Sequence, residues 1–190
     1  MEQHIGLIIA IVIIAIPIIW VVVTYNNLVK LKLLCSNAWS QIDTELKRRY
    51  DLIPNLVEVV RGYAGYERNV LQTVTEARAK AVASTGSPAS QARDENNLIL
   101  SLRNLFGVVE NYPDLKASQQ FLKLQSELVN TEDRIQAARR FYNGNVRDFN
   151  TMIQSFPSNL IASVFGFVAQ EFFEIEDSVQ RMAPAVSFDK

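Results

Sequence analysis

One histidine and one cysteine are all that 190 residues provide, and the histidine, His4, stands ahead of the rest of the chain's chemistry. That shortage excludes several kinds of site. A zinc centre needs several Cys or His ligands, and a di-iron bundle needs Glu-x-x-His pairs on facing helices. Neither can be assembled from this sequence, so no metal and no cofactor is expected. Histidine-based acid–base chemistry is excluded downstream of His4, which leaves a carboxylate pair as the remaining catalytic option. Cys35 has no partner for an internal disulfide, which suits a reducing compartment. There is no Walker A loop, no Gly-x-Gly-x-x-Gly and no Gly-x-Ser-x-Gly. A net charge of −1 gives no electrostatic hold on nucleic acid. Only 7 glycines and 6 prolines occur, clustered at a few places, which favours long helices over a β fold.

Charge is also missing near the start. After a short tail, residues 1–4, the run IGLIIAIVIIAIPIIWVVV from Ile5 to Val23 carries no charged side chain. At about 1.5 Å per residue it crosses roughly 30 Å of hydrocarbon. A cleaved signal peptide needs a basic leader and a small-x-small cleavage site, and neither is present. A lipoprotein signal would need small residues before Cys35, where Lys32 stands instead. An uncleaved single-pass anchor over residues 5–24 fits best. Pro17 kinks such a helix without excluding it from a membrane. Trp20 and Tyr25 sit where an interfacial aromatic belt would be, or else pack on neighbours. Lys30, Lys32, Lys47, Arg48 and Arg49 follow the span and no Lys or Arg precedes it. The positive-inside rule then puts the N-terminus outside and the remaining residues in the cytoplasm.

Beyond the anchor the hydrophobic period is helical. Residues 28–50 carry Leu28, Leu31, Cys35, Ala38, Ile42 and Leu46 on one stripe. Asp51-Leu52-Ile53-Pro54 reads as a break or sharp turn near Arg49–Asp51, with a kinked continuous helix as the alternative. A second helix over about 52–83 continues the stripe through Ile53, Val57, Val60, Ala64, Leu71, Val74 and Ala81, with Gly62 and Gly65 as weak points. A Ser/Gly/Pro loop at 84–90 leads to a third helix over about 91–110, bearing Leu98, Leu102, Leu105 and Val109. The fourth helix holds a three–four seam from Phe121 to Phe156, about five heptads, with Thr131 and Asn145 as its polar members. The fold predicted is all-α: an N-terminal transmembrane helix, an antiparallel four-helix bundle over 28–156, and a short extra helix. Extended coiled coils between chains are the alternative.

The segment 157–177 reads as a Phe-rich amphipathic helix, with Phe165, Phe167, Phe172 and Phe173 as a candidate interface. It would cover the bundle, lie at a lipid surface or join copies of the chain. Residues 178–190 read as a tail. The candidate polar cluster is Arg49, Asp51, Glu132, Arg139, Tyr142, Asn143, Asn145 and Asn150. Its plainest role is to tie the fourth helix to Arg48, Arg49 or Asp51, because buried charges are usually paired. A ligand or partner groove, or catalysis, would use the same side chains.

Several ordered stretches together resemble one family. They include Asn37-Ala38-Trp39, Gln41-Ile42-Asp43, Leu46-Lys47-Arg48-Arg49-Tyr50-Asp51-Leu52-Ile53-Pro54-Asn55-Leu56-Val57 and Gly62-Tyr63-Ala64. Others are Glu110-Asn111-Tyr112-Pro113-Asp114-Leu115-Lys116-Ala117, Thr131-Glu132-Asp133-Arg134-Ile135, Ala138-Arg139-Arg140-Phe141-Tyr142-Asn143, Phe149-Asn150-Thr151 and Phe156-Pro157. With these the chain resembles the LemA family of bacterial membrane proteins over nearly its whole length. The resemblance implies an N-terminal anchor, a helical bundle, an outside-to-inside topology and no enzymatic activity. The expectation is therefore a single-pass protein of a bacterial inner membrane, a non-enzymatic scaffold or adaptor for protein partners or self-association. The alternatives are a carboxylate-dependent enzyme centred on Glu132 or Asp133, a small-ligand binder using the polar cluster of the fourth helix, and lipid-surface binding through residues 160–175.

Overall fold

A computed structural model describes residues 2–65 and 67–174, so the tail at 178–190 lies outside the described residues. The fold is all-α, with no strand among the described residues. The helices are α1 (Glu2–Tyr63), α2 (Arg68–Ala83), α3 (Pro88–Val109), α4 (Pro113–Lys116), α5 (Gln119–Gln154) and α6 (Ser158–Val164). The chain forms two compact units. Among the described residues, the first takes 2–46 and 131–172, the second 47–65, 67–130 and 173–174.

In the first unit, α1 changes character within one turn. From Ile11 to Val23 nearly every large apolar side chain is exposed, and helix length and composition suffice to cross a membrane. From Thr24 onward burial becomes periodic, through Leu28, Cys35, Ala38, Ile42 and Leu46. A core helix of a soluble protein would bury its apolar run against protein; this run is left for another apolar phase to cover. The helix also takes in most of the expected N-terminal tail, because α1 already includes Glu2, Gln3 and His4. Nothing in those three residues breaks a helix.

In the second unit four helices close on one core. Ile53, Leu56, Val57 and Val60 of α1 meet Leu71 and Val74 of α2, Leu98, Leu102 and Leu105 of α3, and Phe121 and Leu128 of α5. Leu115 of α4 joins them, and the Phe106 and Phe121 rings meet edge-on with centroids 6.2 Å apart.

The expected break near Arg49–Asp51 does not occur. α1 runs through Pro54 to Tyr63, the chain turns between Tyr63 and Arg68, and the second helix begins at Arg68 rather than 52. Asp51 is exposed within the helix instead of capping one. Proline lacks the N–H that would bond the carbonyl four residues back, here that of Tyr50. Arg78 of α2 replaces it, its Nε donating to the Tyr50 carbonyl oxygen at 2.7 Å. Gly62 and Gly65 flank the place where the helix does end. Before α3, Ser84 donates to the Asp94 carboxylate at 2.7 Å, and Lys80 pairs with it at 3.2 Å. The Ser84 hydrogen bond, ahead of Lys80, holds that carboxyl below its usual range.

Arg78→Ala leaves the Tyr50 carbonyl without its donor and should destabilise the chain by about 1–3 kcal/mol. In a Pro54→Ala background the loss should shrink, because an alanine at that position restores the helical N–H. Denaturant melts of the wild type, the two single variants and the double variant, all full-length and in detergent, measure the coupling. Equal losses in both backgrounds would refute the account.

Candidate functional site

Two polar constellations stand out, one in each unit. In the second unit, Arg49 of α1 pairs with Glu95 of α3, and each side chain is only 2% exposed. The Arg49 guanidinium donates to Glu95 Oε2, while the Tyr50 hydroxyl donates to Oε1. Both carboxylate oxygens are therefore engaged, which offsets the desolvation of the buried charges. The site is closed: at that burial no substrate reaches either charge. One residue before, Arg48 points outward and meets Glu127 of α5 at 3.5 Å. The basic run thus supplies partners for acids on two neighbouring helices. Arg49, one of the residues expected to tie down the fourth helix, holds Glu95 on α3.

Glu95 escapes a reading of motifs, although a signal for it exists. Arg49 falls on the stripe of Ile42, Leu46 and Ile53, and Glu95 falls on the stripe of Ala92, Leu98 and Leu102. Opposite charges on two apolar stripes are the mark of a buried pair.

In the first unit, the helix expected over 157–177 ends at Val164. Gly166 takes φ 69°, a left-handed conformation that side chains disfavour. The Phe167 N–H bonds the Ala162 carbonyl at 2.9 Å and the Gly166 N–H that of Ser163 at 3.3 Å, a Schellman stop. Beyond it, residues 167–172 form a non-helical strap.

Two members of the predicted polar cluster hold this strap. Asn150 donates to the Gln170 carbonyl at 2.9 Å and accepts from the Gln170 N–H at 2.8 Å. The Tyr142 hydroxyl donates to the Glu171 carbonyl at 2.9 Å, and its ring meets Trp39 at 5.3 Å. Burial first, then the neighbouring Cys35 and Glu171, push the Tyr142 phenol up to about 12. Burial, with Asp148 nearby, likewise raises the Cys35 thiol. Glu132, Arg139, Asn143 and Asn145 are half-buried along α5, and the Asn145 amide nitrogen is buried. A groove of about 470 Å³ in this unit is lined by Gln41, Thr44, Glu45, Arg134, Ala138 and Phe141, with Arg134 and Glu45 3.7 Å apart.

The four candidate phenylalanines behave differently from one another. Phe165 and Phe167 pack on Tyr25 with ring centroids 4.8 and 5.8 Å apart, and Phe167 also meets Phe149 at 6.3 Å. Phe172 is half-buried and Phe173 fully buried. Phe156, the last member of the predicted seam, is exposed.

A long helix that begins as bare apolar surface and continues into helices closed on their own core defines a membrane-associated helical protein. A profile of the LemA family matches residues 38–188, and the chain belongs to that family. It is 32% identical to Protein LemA of Metamycoplasma hominis over 66% of this chain and 58% of that one. It is 25% identical to magnetosome protein MamQ 2 of Paramagnetospirillum magneticum, over 79% of this chain and 64% of the relative. Magnetosome protein MamQ of Magnetospirillum gryphiswaldense is 24% identical over 70% and 58% of the two chains. The matches span about three fifths of these relatives' length.

Removing one member of the buried pair strands the other. Glu95→Gln or Arg49→Met should each lower stability by about 3–5 kcal/mol, and Arg49→Met with Glu95→Leu should recover much of that loss. Thermal melts of the full chain in detergent decide it; a double variant as unstable as the sum of the singles would contradict the pairing.

Tyr142 gives a separate alkaline signature. The folded chain keeps the phenolic proton up to about 12, whereas an ordinary tyrosine releases it near 10.0. Its contribution to stability is thus complete below pH 10 and is lost as pH rises toward 12. Tyr142→Phe should flatten that window and forfeit the bond to Glu171. A pH series of melting temperatures checks this, and an unchanged slope in the variant would exclude Tyr142 as its source.

Proposed function

We propose that this protein is a single-pass anchor of a bacterial inner membrane, carrying a non-enzymatic helical scaffold or adaptor for protein assembly. The N-terminus lies outside and the bundle over 28–156 lies in the cytoplasm. The observation that carries the reading is the use of the polar groups. Arg49, Tyr50 and Glu95 are engaged with one another, and Tyr142 and Asn150 with the strap backbone. Side chains committed to holding the fold leave the outer helix faces as the working surface.

The flanking charges support the orientation, since Lys30 and Lys32 are exposed just beyond the span. Kinship with proteins named for the magnetosome supports a membrane setting. The 470 Å³ groove, with Phe141 half exposed beside it, is the proposed contact for a protein partner or a second copy. A carboxylate enzyme centred on Glu132 or Asp133 has less support, since Asp133 is exposed and neither residue lines that groove.

Two measurements test the reading. Protease added to intact spheroplasts should remove an N-terminal tag and spare a C-terminal one; the reverse pattern would overturn the orientation. Crosslinking in cells followed by mild detergent extraction should yield a discrete particle heavier than one chain. A monomer at every expression level, or a turnover abolished by Glu132→Gln, would end the scaffold reading.

A further inference from the structure

The apolar surface of the first unit does not stop at the span. Leu160 and Val164 lie one turn apart on α6, opposite the buried Ile161 and Ala162. Phe156, Val164 and Val168 are 80%, 78% and 73% exposed. From Phe149 to Gln170 there is no Lys, Arg, Asp or Glu at all. An exposed, uncharged segment of this kind on a soluble face would invite aggregation.

Its position says what covers it. Tyr25 lies two residues after the apolar run that ends at Val23, so its ring stands at the level where the span leaves hydrocarbon. Phe165 and Phe167 pack on that ring at centroid distances of 4.8 and 5.8 Å. The contact fixes the end of α6 beside the exit of the span. Lys30 and Lys32, exposed roughly 8–11 Å farther along α1, are placed for anionic headgroups just beyond that level.

We infer that α6 and the start of the strap form a second membrane contact: an uncharged foot that lies in the lipid interface beside the span. Leu160, Val164 and Val168 enter the acyl boundary, while Ile161 and Ala162 stay packed on protein. The occupant is the bilayer that holds the anchor, and continuity from Tyr25 to Phe165 argues for it over a soluble partner. An interfacial helix of this kind needs little length when a neighbouring span already holds it at the surface.

The test uses the full chain with Cys35→Ala, reconstituted in phosphatidylcholine–phosphatidylglycerol vesicles. Nitroxide labels are placed at Leu160→Cys, Val164→Cys and Val168→Cys, with Arg147→Cys, exposed on α5, as the control. Collision with dissolved oxygen reports lipid, and collision with a water-soluble nickel chelate reports solvent. The foot predicts several-fold higher oxygen-to-nickel ratios at 160, 164 and 168 than at 147. Ratios equal to that of the control would overturn it. Labels shielded from both probes and broadened by one another as protein density rises would also overturn it, in favour of a second copy. Alkaline extraction of the same vesicles separates the two readings: a chain that washes off has lost its span, whereas a retained chain with wet labels has lost only the foot.

Discussion

The turn of α1 just before Pro54 carries the constraint on which the second unit depends. A proline in the middle of a helix removes one hydrogen bond and crowds the carbonyl behind it. Here two residues of the preceding turn are each secured from a neighbouring helix. Arg49 reaches Glu95 on α3, and Tyr50 receives Arg78 from α2 on its carbonyl while its hydroxyl meets Glu95. The same contacts that let the helix pass the proline also fix α2 and α3 against it. Apolar packing of Ile53, Leu56, Val60 and their partners supplies the bulk of the burial, but it is non-directional. The hydrogen-bonded charges add the direction.

Much of this fold is legible in the sequence because its stripes are regular. Ile53, Val57, Val60, Leu71 and Val74 are buried as their spacing predicts, and so are Leu98, Leu102, Leu105 and Val109. The chain's course at Pro54 is not legible, because the donor that rescues the helix sits 28 residues away. Local rules see the missing N–H and not its replacement. The end of α6 shows the converse case. Phe-rich periodicity favours a longer helix, yet a single left-handed glycine stops it, and that choice depends on where the following phenylalanines can pack.

The polar residues divide in the same way. Tyr142 and Asn150 are visible as unusual members of an apolar face, but their partners are backbone groups of a strap that carries no pattern of its own. Glu95 lies in a stretch rich in Asp, Glu and Asn, where one more acid draws no notice unless its phase on the helix is counted. Phase rather than composition separates the buried carboxylate from its exposed neighbours.

The division of the chain into units has a consequence for its biosynthesis. Apart from the C-terminal residues, the second unit is one continuous stretch, 47–130, and its core can close as soon as that stretch has emerged. The first unit pairs residues 2–46 with residues 131–172. The seam from Leu28 to Leu46 is made early and waits for α5, α6 and the strap, a gap of several seconds at roughly 5–20 residues per second. During that interval the nascent chain is already tethered at its membrane end while the adjoining apolar face stands open. The segments that close on the seam of α1 therefore emerge only after the whole continuous stretch of the second unit.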